Sequence, residues 1–174
     1  VLALATEEPR KNLDRVLAAF ELVARRAPDV RLVLAGTKGH SAVFAHGDRG
    51  IVSTAAEPIR LGYVPDEVIP RLYATANVFV YAPLYEGFGI PPLEAAAART
   101  PSVLADIPPL RELGLPAAWV DPLDAESIAE GIVRQLESPR STNGTADAIL
   151  RDYNWDRSAE MLVQTFDALG VDVV

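Results

Sequence analysis

The chain has 174 residues, of which 49% are apolar and 23% charged, and its net charge is -8. This length and composition are typical of one soluble globular domain with a buried core. The acidic balance disfavours nucleic-acid binding, because that needs a basic surface. No apolar run approaches the ~20 residues of a membrane helix. The absence of cysteine excludes disulfides and thiolate metal sites and fits a reducing compartment, so we expect a cytoplasmic protein.

In the first third of the chain, short apolar runs alternate with helical patterns. The opening run VLALAT predicts a buried strand, and because no initiator methionine precedes it we expect a fragment of a longer protein. Residues 12–27 have apolar side chains at helical spacing, with Asn12 in the N-cap position. Residues 31–36 predict a second strand that ends in glycine. Residues 37–56 are rich in loop signals and leave room for one short helix.

The same alternation continues to the end of the chain. Residues 65–76 predict a helix, although Pro70 conflicts with this unless the helix begins or kinks there. Residues 138–145, SPRSTNGT, predict a connector, and we expect Trp119 and Trp155 to lie in the core. The remaining strands are predicted at residues 59–64, 77–82, 101–106 and 117–122, and the remaining helices at 92–99, 124–137 and 155–169.

This order of elements predicts an α/β fold with a parallel sheet covered by helices on both faces. Ligands of such sheets bind beyond the carboxyl ends of the strands. Three strand ends therefore become candidate sites, namely TEEPRKN, GTKGHS and YAPLYEGFGIPP.

The segment YEGFGIPPLE joins a strand to a helix. Gly87 and Gly89 permit positive φ and close approach of backbone N–H groups to a ligand, and the start of the helix favours an anion such as phosphate. Glu94, one turn into the helix, can accept hydrogen bonds from a ribose diol, and Glu86 would face the same pocket. The alternative is a plain strand-to-helix turn in which Glu94 is a favourable first-turn acid.

Basic side chains follow the first strand directly. Arg10 and Lys11 could clamp a diphosphate, or they could be a solvated loop pair offset by Glu7 and Glu8. A metal site at His40, in the next candidate loop GTKGHS, and His46, just beyond it, is disfavoured because no acid or third ligand stands at metal spacing.

Several segments together resemble the C-terminal half of group 1 retaining glycosyltransferases of the GT-B fold. They are EPRKN, LGYVPDEVIPRLYATANVFVYAPLYEGFGIPPLEAAAARTPSV and AAWVDPLDAESIAEGI. The resemblance runs from Val1 to about Leu169, and the two glutamates around Gly-Phe-Gly are its most specific element. It implies that residues 1–174 are one Rossmann-like donor-binding domain, half of a GT-B enzyme whose N-terminal acceptor domain is absent here.

The family's site residues carry over onto matching positions of this sequence. The resemblance implies that Glu86 contacts the transferred sugar near the reaction centre and that Glu94 binds the ribose of the nucleotide. Arg10 and Lys11 would neutralise the leaving diphosphate, so no metal or other cofactor is expected. The backbone amides that would hold the sugar and the diphosphate are those of Gly87, Phe88, Gly89 and Ile90.

The implied reaction is transfer of a hexose from a nucleoside-diphosphate sugar to an acceptor, as in polysaccharide biosynthesis. GDP-mannose is the favoured donor because EPRKN loops occur in such members, while UDP and dTDP sugars stay open, as does a base contact by Lys38. The sequence departs from the family at Ala5 and Arg99, and it lacks a further arginine before Arg10. A GT-B sugar-nucleotide epimerase and a non-catalytic binding module remain alternatives. Contact with a membrane is expected only through the missing half.

Overall fold

The computed structural model describes residues 1–4, 8–36, 57–138 and 145–170. These residues form the predicted α/β fold, with six short strands and helices on both sides of the sheet. Within them, no helix combines the length and the apolar character needed to cross a bilayer. In chain order the elements are β1 (Leu2–Leu4), a 3₁₀ helix (Pro9–Lys11), α1 (Leu13–Arg26), β2 (Val33–Ala35), β3 (Ile59–Gly62), α2 (Ile69–Thr75), β4 (Phe79–Tyr81), α3 (Ile90–Ala97), β5 (Ser102–Ala105), α4 (Pro108–Arg111), β6 (Ala118–Val120), α5 (Ala125–Glu137), α6 (Thr145–Asp152) and α7 (Trp155–Ala168).

All neighbouring strands of the sheet run parallel, in the order β3-β2-β1-β4-β5-β6. The chain fills one half of the sheet from β1 outwards to β3, then returns to the centre and fills the other half from β4 to β6. The reversal leaves a crevice beyond the carboxyl ends of β1 and β4, where the connections depart to opposite sides. Ligands of open parallel sheets bind at such a switch point.

Alternating side chains of β4 show how the sheet is covered on both faces. Val80 packs in the cluster that includes Phe20 of α1 and Ile128 of α5. Its neighbours Phe79 and Tyr81 project to the other face, where they join the cluster formed with α2 and α3. Both faces of the strand are therefore buried, which explains why it reads as a continuous apolar run.

Several helices begin at residues other than those predicted. Helix α2 begins at Ile69, after a turn over residues 66–68, so Pro70 lies in its first turn, where its missing N–H costs nothing. The predicted helix 124–137 is confirmed, and its N-cap Asp124 accepts a hydrogen bond of 2.9 Å from the backbone N–H of Glu126.

Other predictions were wrong. Helix α6, which begins at the last residue of the predicted connector, was missed, as was the single-turn helix α4, while residues 139–144 of the connector lie outside the described residues. Trp119 is partly buried against the core. Trp155, the first residue of α7, is 90% exposed and does not belong to the core. Met161 and Leu162 of α7 are also more than half exposed, so the helical spacing of this segment does not mark a buried face in the structure.

Helix α5 approaches the sheet closely at Gly131. A Cβ added there would lie 2.6 Å from Cγ1 of Val120 and 3.0 Å from Cγ1 of Val103. In an open helix, Gly→Ala stabilises by about 0.5–1 kcal/mol, but overpacking a core costs about 1–3 kcal/mol. We therefore expect Gly131→Ala to lower the free energy of unfolding by about 1 kcal/mol, as measured by urea denaturation. Glu130→Ala, at an exposed neighbour, is the control, and a stabilised Gly131→Ala variant would contradict the close approach.

Candidate functional site

The switch point of the sheet brings together the basic pair and the first glutamate of the predicted site. Arg10 and Lys11 lie in the 3₁₀ helix that follows β1, and Glu86 lies in the connection that follows β4. Nη1 of Arg10 is 2.8 Å from Oε1 of Glu86, and Nζ of Lys11 is 2.6 Å from the same atom. The side chains of Lys11 and Glu86 are only 14% and 11% exposed, so this is a partly buried ion cluster.

Tyr81, the last residue of β4, completes this cluster. Its hydroxyl accepts a hydrogen bond of 2.8 Å from Nζ of Lys11 and donates one of 2.7 Å to Oε1 of Glu86. Among the described residues, all three donors to Glu86 meet at Oε1, and none reaches Oε2. The carboxylate is thus fixed through one oxygen, which leaves the other available to a ligand hydroxyl.

The cluster favours the ionised form of Glu86. Burial by itself raises the pKa of this carboxyl, but hydrogen bonds from Lys11 and Tyr81 and the charges of Lys11 and Arg10 outweigh it and hold the pKa below its ordinary value. Burial and the hydrogen bond to Glu86 raise the pKa of the Tyr81 phenol. Tyr81 therefore keeps its proton as a donor while Glu86 stays an acceptor.

Arg10 is shared between two carboxylates. Its Nε lies 2.7 Å from Oε2 of Glu8, and its side chain is 41% exposed. Glu8 thus offsets part of the charge of Arg10, as the alternative of a solvated loop pair predicted, while Glu7 lies outside the described residues. That alternative does not describe Lys11, which is enclosed. The formal charges of Glu8, Arg10, Lys11 and Glu86 sum to zero, so an anionic ligand has to compete with carboxylates for the cations.

Asn12 fixes the basic segment, which is the 3₁₀ helix with Arg10 and Lys11, through hydrogen bonds that the sequence did not indicate. It is the residue before α1, as predicted, but its φ of 58° is left-handed and its side chain does not cap the helix. Instead Nδ2 donates to the carbonyls of Ala82 at 2.9 Å and Pro122 at 2.6 Å, at the ends of β4 and β6. With the backbone bond from Leu84 N–H to Arg10 O, this ties the basic segment to the β4–α3 connection.

The glycine segment differs from the prediction in one respect. Gly89 has a φ of 108°, and a Cβ there would lie 2.6 Å from Cδ2 of Leu110, whereas Gly87 does not have a positive φ. Helix α3 begins at Ile90, and Pro91 and Pro92 in its first turn have no N–H to offer a ligand. Donors must therefore come from the segment before them. Within the described residues no partner is found for the backbone N–H groups of Gly87, Phe88, Gly89 and Ile90.

Glu94, in the second turn of α3, has a different anchor. The hydroxyl of Tyr73, on α2, donates a hydrogen bond of 3.0 Å to its Oε2. Tyr73 is 1% exposed, while Glu94 itself is exposed. Among the described residues Oε1 of Glu94 has no hydrogen-bond donor. Glu94 thus repeats the pattern of Glu86, in which a phenol from the core fixes one carboxylate oxygen and leaves the other open.

A row of aromatic rings connects the two anchors. Tyr73 packs edge-on against Phe79 with ring centroids 5.2 Å apart, and Phe79 stacks on Tyr81 at 6.0 Å. The row belongs to the apolar cluster on the α2 and α3 face of the sheet. Glu86 and Glu94 are therefore both held by tyrosine hydroxyls whose rings pack in the same part of the core.

Sequence reasoning found the charged residues of the site but missed Tyr73, Tyr81 and the role of Asn12. The one available signal was a phenol at the end of an otherwise apolar strand, since a buried hydroxyl needs a partner. Lys38, His40 and His46 lie outside the described residues. In the parts of the chain that are described, no three histidine or acidic side chains group as a metal site would require.

The pH dependence of stability provides a test of the cluster. Lys11→Met removes the ammonium group next to Glu86, and we expect it to lower the free energy of unfolding by about 1–3 kcal/mol near neutral pH. Because the pKa of Glu86 is depressed in the fold, its contribution exists above its unfolded pKa and is lost as the pH falls through the folded value. The difference from wild type should therefore shrink in acid, as measured by urea denaturation across pH. An unchanging difference would contradict the cluster, and Arg25→Met, at the far end of α1, is the control.

Comparison with known proteins identifies the family. The family model described as "Glycosyl transferases group 1" matches residues 1–149. The O-antigen chain mannosyltransferase B of Escherichia coli is 34% identical, covering 97% of this chain and 45% of that protein. The phosphatidyl-myo-inositol mannosyltransferase of Mycobacterium tuberculosis is 31% identical, covering 94% and 45%. The chain thus spans less than half the length of these curated relatives.

Solved structures agree with this at the level of the fold. An α,α-trehalose-phosphate synthase (UDP-forming) from Burkholderia vietnamiensis has a TM-score of 0.79 at 18% identity, covering 98% of this chain and 45% of that one. A sucrose-phosphate synthase from Thermosynechococcus elongatus has a TM-score of 0.75 at 24% identity, covering 97% and 45%. The fold is that of one half of a GT-B enzyme. On the strength of the family match over residues 1–149, the chain belongs to the group 1 glycosyltransferases.

Proposed function

We propose that this chain is the donor-binding part of a retaining hexosyltransferase that uses a nucleoside-diphosphate sugar. The observation that carries the proposal is the meeting of Arg10, Lys11 and Glu86 at the switch point of the sheet. Ligands of this fold bind at that position, and the two cations suit an anionic linker. Mannose is the favoured sugar, supported by two relatives that are named mannosyltransferases.

In the proposed reaction the bond between the anomeric carbon and the diphosphate breaks, and the diphosphate departs with the electron pair. Charge builds on the leaving oxygen, near the cationic groups of Arg10 and Lys11. The acceptor hydroxyl forms the new bond at the anomeric carbon and gives its proton to the departing diphosphate oxygen, with net retention of configuration. Preorganised donors facing developing charge contribute about 3–4 kcal/mol each in comparable sites. The N–H groups of the segment 87–90, which have no partner among the described residues, are suited to the same task.

Glu86 is suited to hold the sugar. Hydroxyl groups of a hexose are donors, and the open Oε2 of an ionised carboxylate is a strong acceptor for them. The depressed pKa keeps Glu86 ionised at neutral pH, and its three donors on Oε1 keep it in place. The same cations thus serve two purposes, since they orient the carboxylate and lie next to the departing diphosphate.

The second carboxylate is assigned to the nucleotide. Glu94 lies eight residues beyond Glu86 along the chain, in the second turn of the helix α3 that follows the glycine segment. Its open Oε1, with the remaining lone pair of Oε2, can accept two hydrogen bonds from vicinal hydroxyls, as an acid does with a ribose. The chain would then contact the nucleoside-diphosphate sugar at three of its parts, which are the hexose, the diphosphate and the ribose.

The acceptor and the remainder of the active site are assigned to a second domain. The relatives are more than twice as long as the matching part, which leaves room for an N-terminal acceptor-binding half. The reaction would occur in the cleft between the halves, in the cytoplasm, with any contact to a membrane made through that half. No metal is part of the proposal, because Arg10 and Lys11 supply the positive charge.

Binding of nucleoside diphosphates tests the site directly. In calorimetry with GDP, UDP, dTDP and ADP, we expect at least one to bind, and Arg10→Met to weaken that binding roughly tenfold through loss of a charged hydrogen bond. Arg25→Met makes the same change about 20 Å away along α1 and should leave the affinity unaltered. Equal affinities of the two variants would remove Arg10 from the site, and no binding of any of the four to wild type would overturn the proposal.

Turnover should require more than this chain. Correct positioning of two substrates is worth about 7–11 kcal/mol of the barrier, and one side of a cleft cannot provide it. With GDP-mannose or UDP-glucose and a simple sugar acceptor, we expect the chain to release no nucleoside diphosphate above the rate of spontaneous hydrolysis. Formation of a glycosylated product by the chain alone, detected by mass spectrometry, would refute this division of labour.

A further inference from the structure

The contact between Tyr73 and Glu94 joins the most enclosed phenol of the chain to an exposed acid. The ring of Tyr73 is 1% exposed and packs edge-on against Phe79, also in the core. Its hydroxyl donates a hydrogen bond of 3.0 Å to Oε2 of Glu94, the one acceptor found for it within the described part of the chain. A rigid donor therefore holds a side chain that is otherwise free to rotate.

The energetic effect of such an anchor is preorganisation. An exposed glutamate has three rotatable bonds, and a ligand that binds it has to fix them at a cost in entropy. The Tyr73 ring is already immobile in the core, so its hydroxyl fixes one carboxylate oxygen before the ligand arrives. Burial and the adjacent Glu94 carboxylate raise the pKa of Tyr73, so the phenol keeps its proton and stays a donor.

We propose that Tyr73 is a positioning residue that sets the Glu94 carboxylate for a vicinal diol and thereby makes the site selective for ribonucleoside over 2′-deoxyribonucleoside diphosphates. This inference rests on the proposed function, in which Glu94 binds the ribose. A carboxylate offers about four lone pairs, of which the Tyr73 hydroxyl occupies one on Oε2. The remaining lone pairs of the oriented Glu94 carboxylate can accept hydrogen bonds from the 2′- and 3′-hydroxyls of a ribose. A 2′-deoxyribose lacks one of these hydroxyls, so one carboxylate lone pair would have no hydrogen-bond donor.

A purely structural role for the phenol is the competing explanation, because a buried hydroxyl needs an acceptor somewhere. The two explanations differ in what the hydroxyl changes. A structural hydroxyl would alter stability, or the affinity for all nucleotides alike. A positioning hydroxyl alters the ratio of affinities for ribose and deoxyribose ligands.

The chain allows a substitution that removes little else. Tyr73→Phe keeps the ring and its packing on Phe79, and the hydrogen bond of 2.6 Å from Thr100 Oγ1 goes to the Tyr73 backbone carbonyl, which the substitution retains. Tyr81→Phe is the matched control, because it removes the phenol under the other acid, Glu86. Glu94→Ala removes the proposed ribose ligand itself.

The test measures dissociation constants of two matched pairs, GDP with dGDP and UDP with dUDP, by calorimetry on wild type and the three variants. Wild type should prefer the ribonucleotide roughly tenfold or more, and Glu94→Ala should abolish this preference. Tyr73→Phe should lower the preference about threefold or more, mainly through weaker binding of the ribonucleotide. Tyr81→Phe should change both affinities by one common factor and leave the preference as in wild type.

The outcomes separate the inference from the proposed function. A preference lost in Glu94→Ala but intact in Tyr73→Phe overturns the positioning role and leaves the ribose role of Glu94 standing. A preference that persists in Glu94→Ala overturns the positioning role of Tyr73 and the ribose role of Glu94 together. A wild type that binds none of these four nucleotides, or binds them without a preference, overturns the inference, whereas the proposed function falls only if ADP and dTDP do not bind either. Glu94→Asp adds a check that does not depend on the fold of Tyr73→Phe. Its shorter side chain cannot reach the phenol and a ribose together, so an undiminished preference there would also overturn the inference.

Discussion

The carboxylate of Glu86 is the group on which the candidate site depends. Lys11 is largely enclosed, and an enclosed ammonium is tolerated only if a partner compensates the loss of water. Oε1 of Glu86 supplies that compensation, and it also accepts from Arg10 and Tyr81. Because the cations follow β1 and the carboxylate follows β4, the ion cluster joins the two connections that form the crevice. Loss of any one charged residue of the ion cluster would leave an uncompensated charge at a partly buried position.

The fold makes this cluster possible before any charge is considered. Reversal of the strand order puts β1 beside β4, so the two connections emerge at the same edge of the sheet. Asn12 then fixes one connection to the other through the carbonyl of Ala82, and the backbone bond from Leu84 to Arg10 adds a second tie. The left-handed backbone at Asn12 is the conformational cost of turning from this loop into α1. Positioning of the cations thus comes from the backbone and one buried amide.

The sequence was sufficient for the fold class and for the charged residues of the site. Apolar runs at strand length and helical spacing between them persist whatever the tertiary details, and strand ends mark candidate sites in such sheets. It was insufficient where the outcome depends on long-range packing. Asn12 before a helix has the same sequence pattern whether its amide caps the helix or bonds residues 70 and 110 positions away. The single turn of α4 is too short for a periodic signal, and the partners of the Tyr73 and Tyr81 hydroxyls exist only after folding.

Electroneutrality of the cluster has a consequence for the kind of ligand that fits. A free diphosphate would satisfy Arg10 and Lys11 but would compete with Glu86 and Glu8 for them, and would bring negative charge close to both carboxylates. A sugar nucleotide carries hydroxyl donors beside its diphosphate, so it can satisfy the cations and the open oxygen of Glu86 together. Its net charge is also lower than that of the free nucleoside diphosphate, because one phosphate oxygen is esterified. Under the proposed function, the intact sugar nucleotide therefore makes one contact that the free nucleoside diphosphate lacks, between a sugar hydroxyl and Oε2 of Glu86, while Arg10 and Lys11 remain next to the charge that builds on the diphosphate.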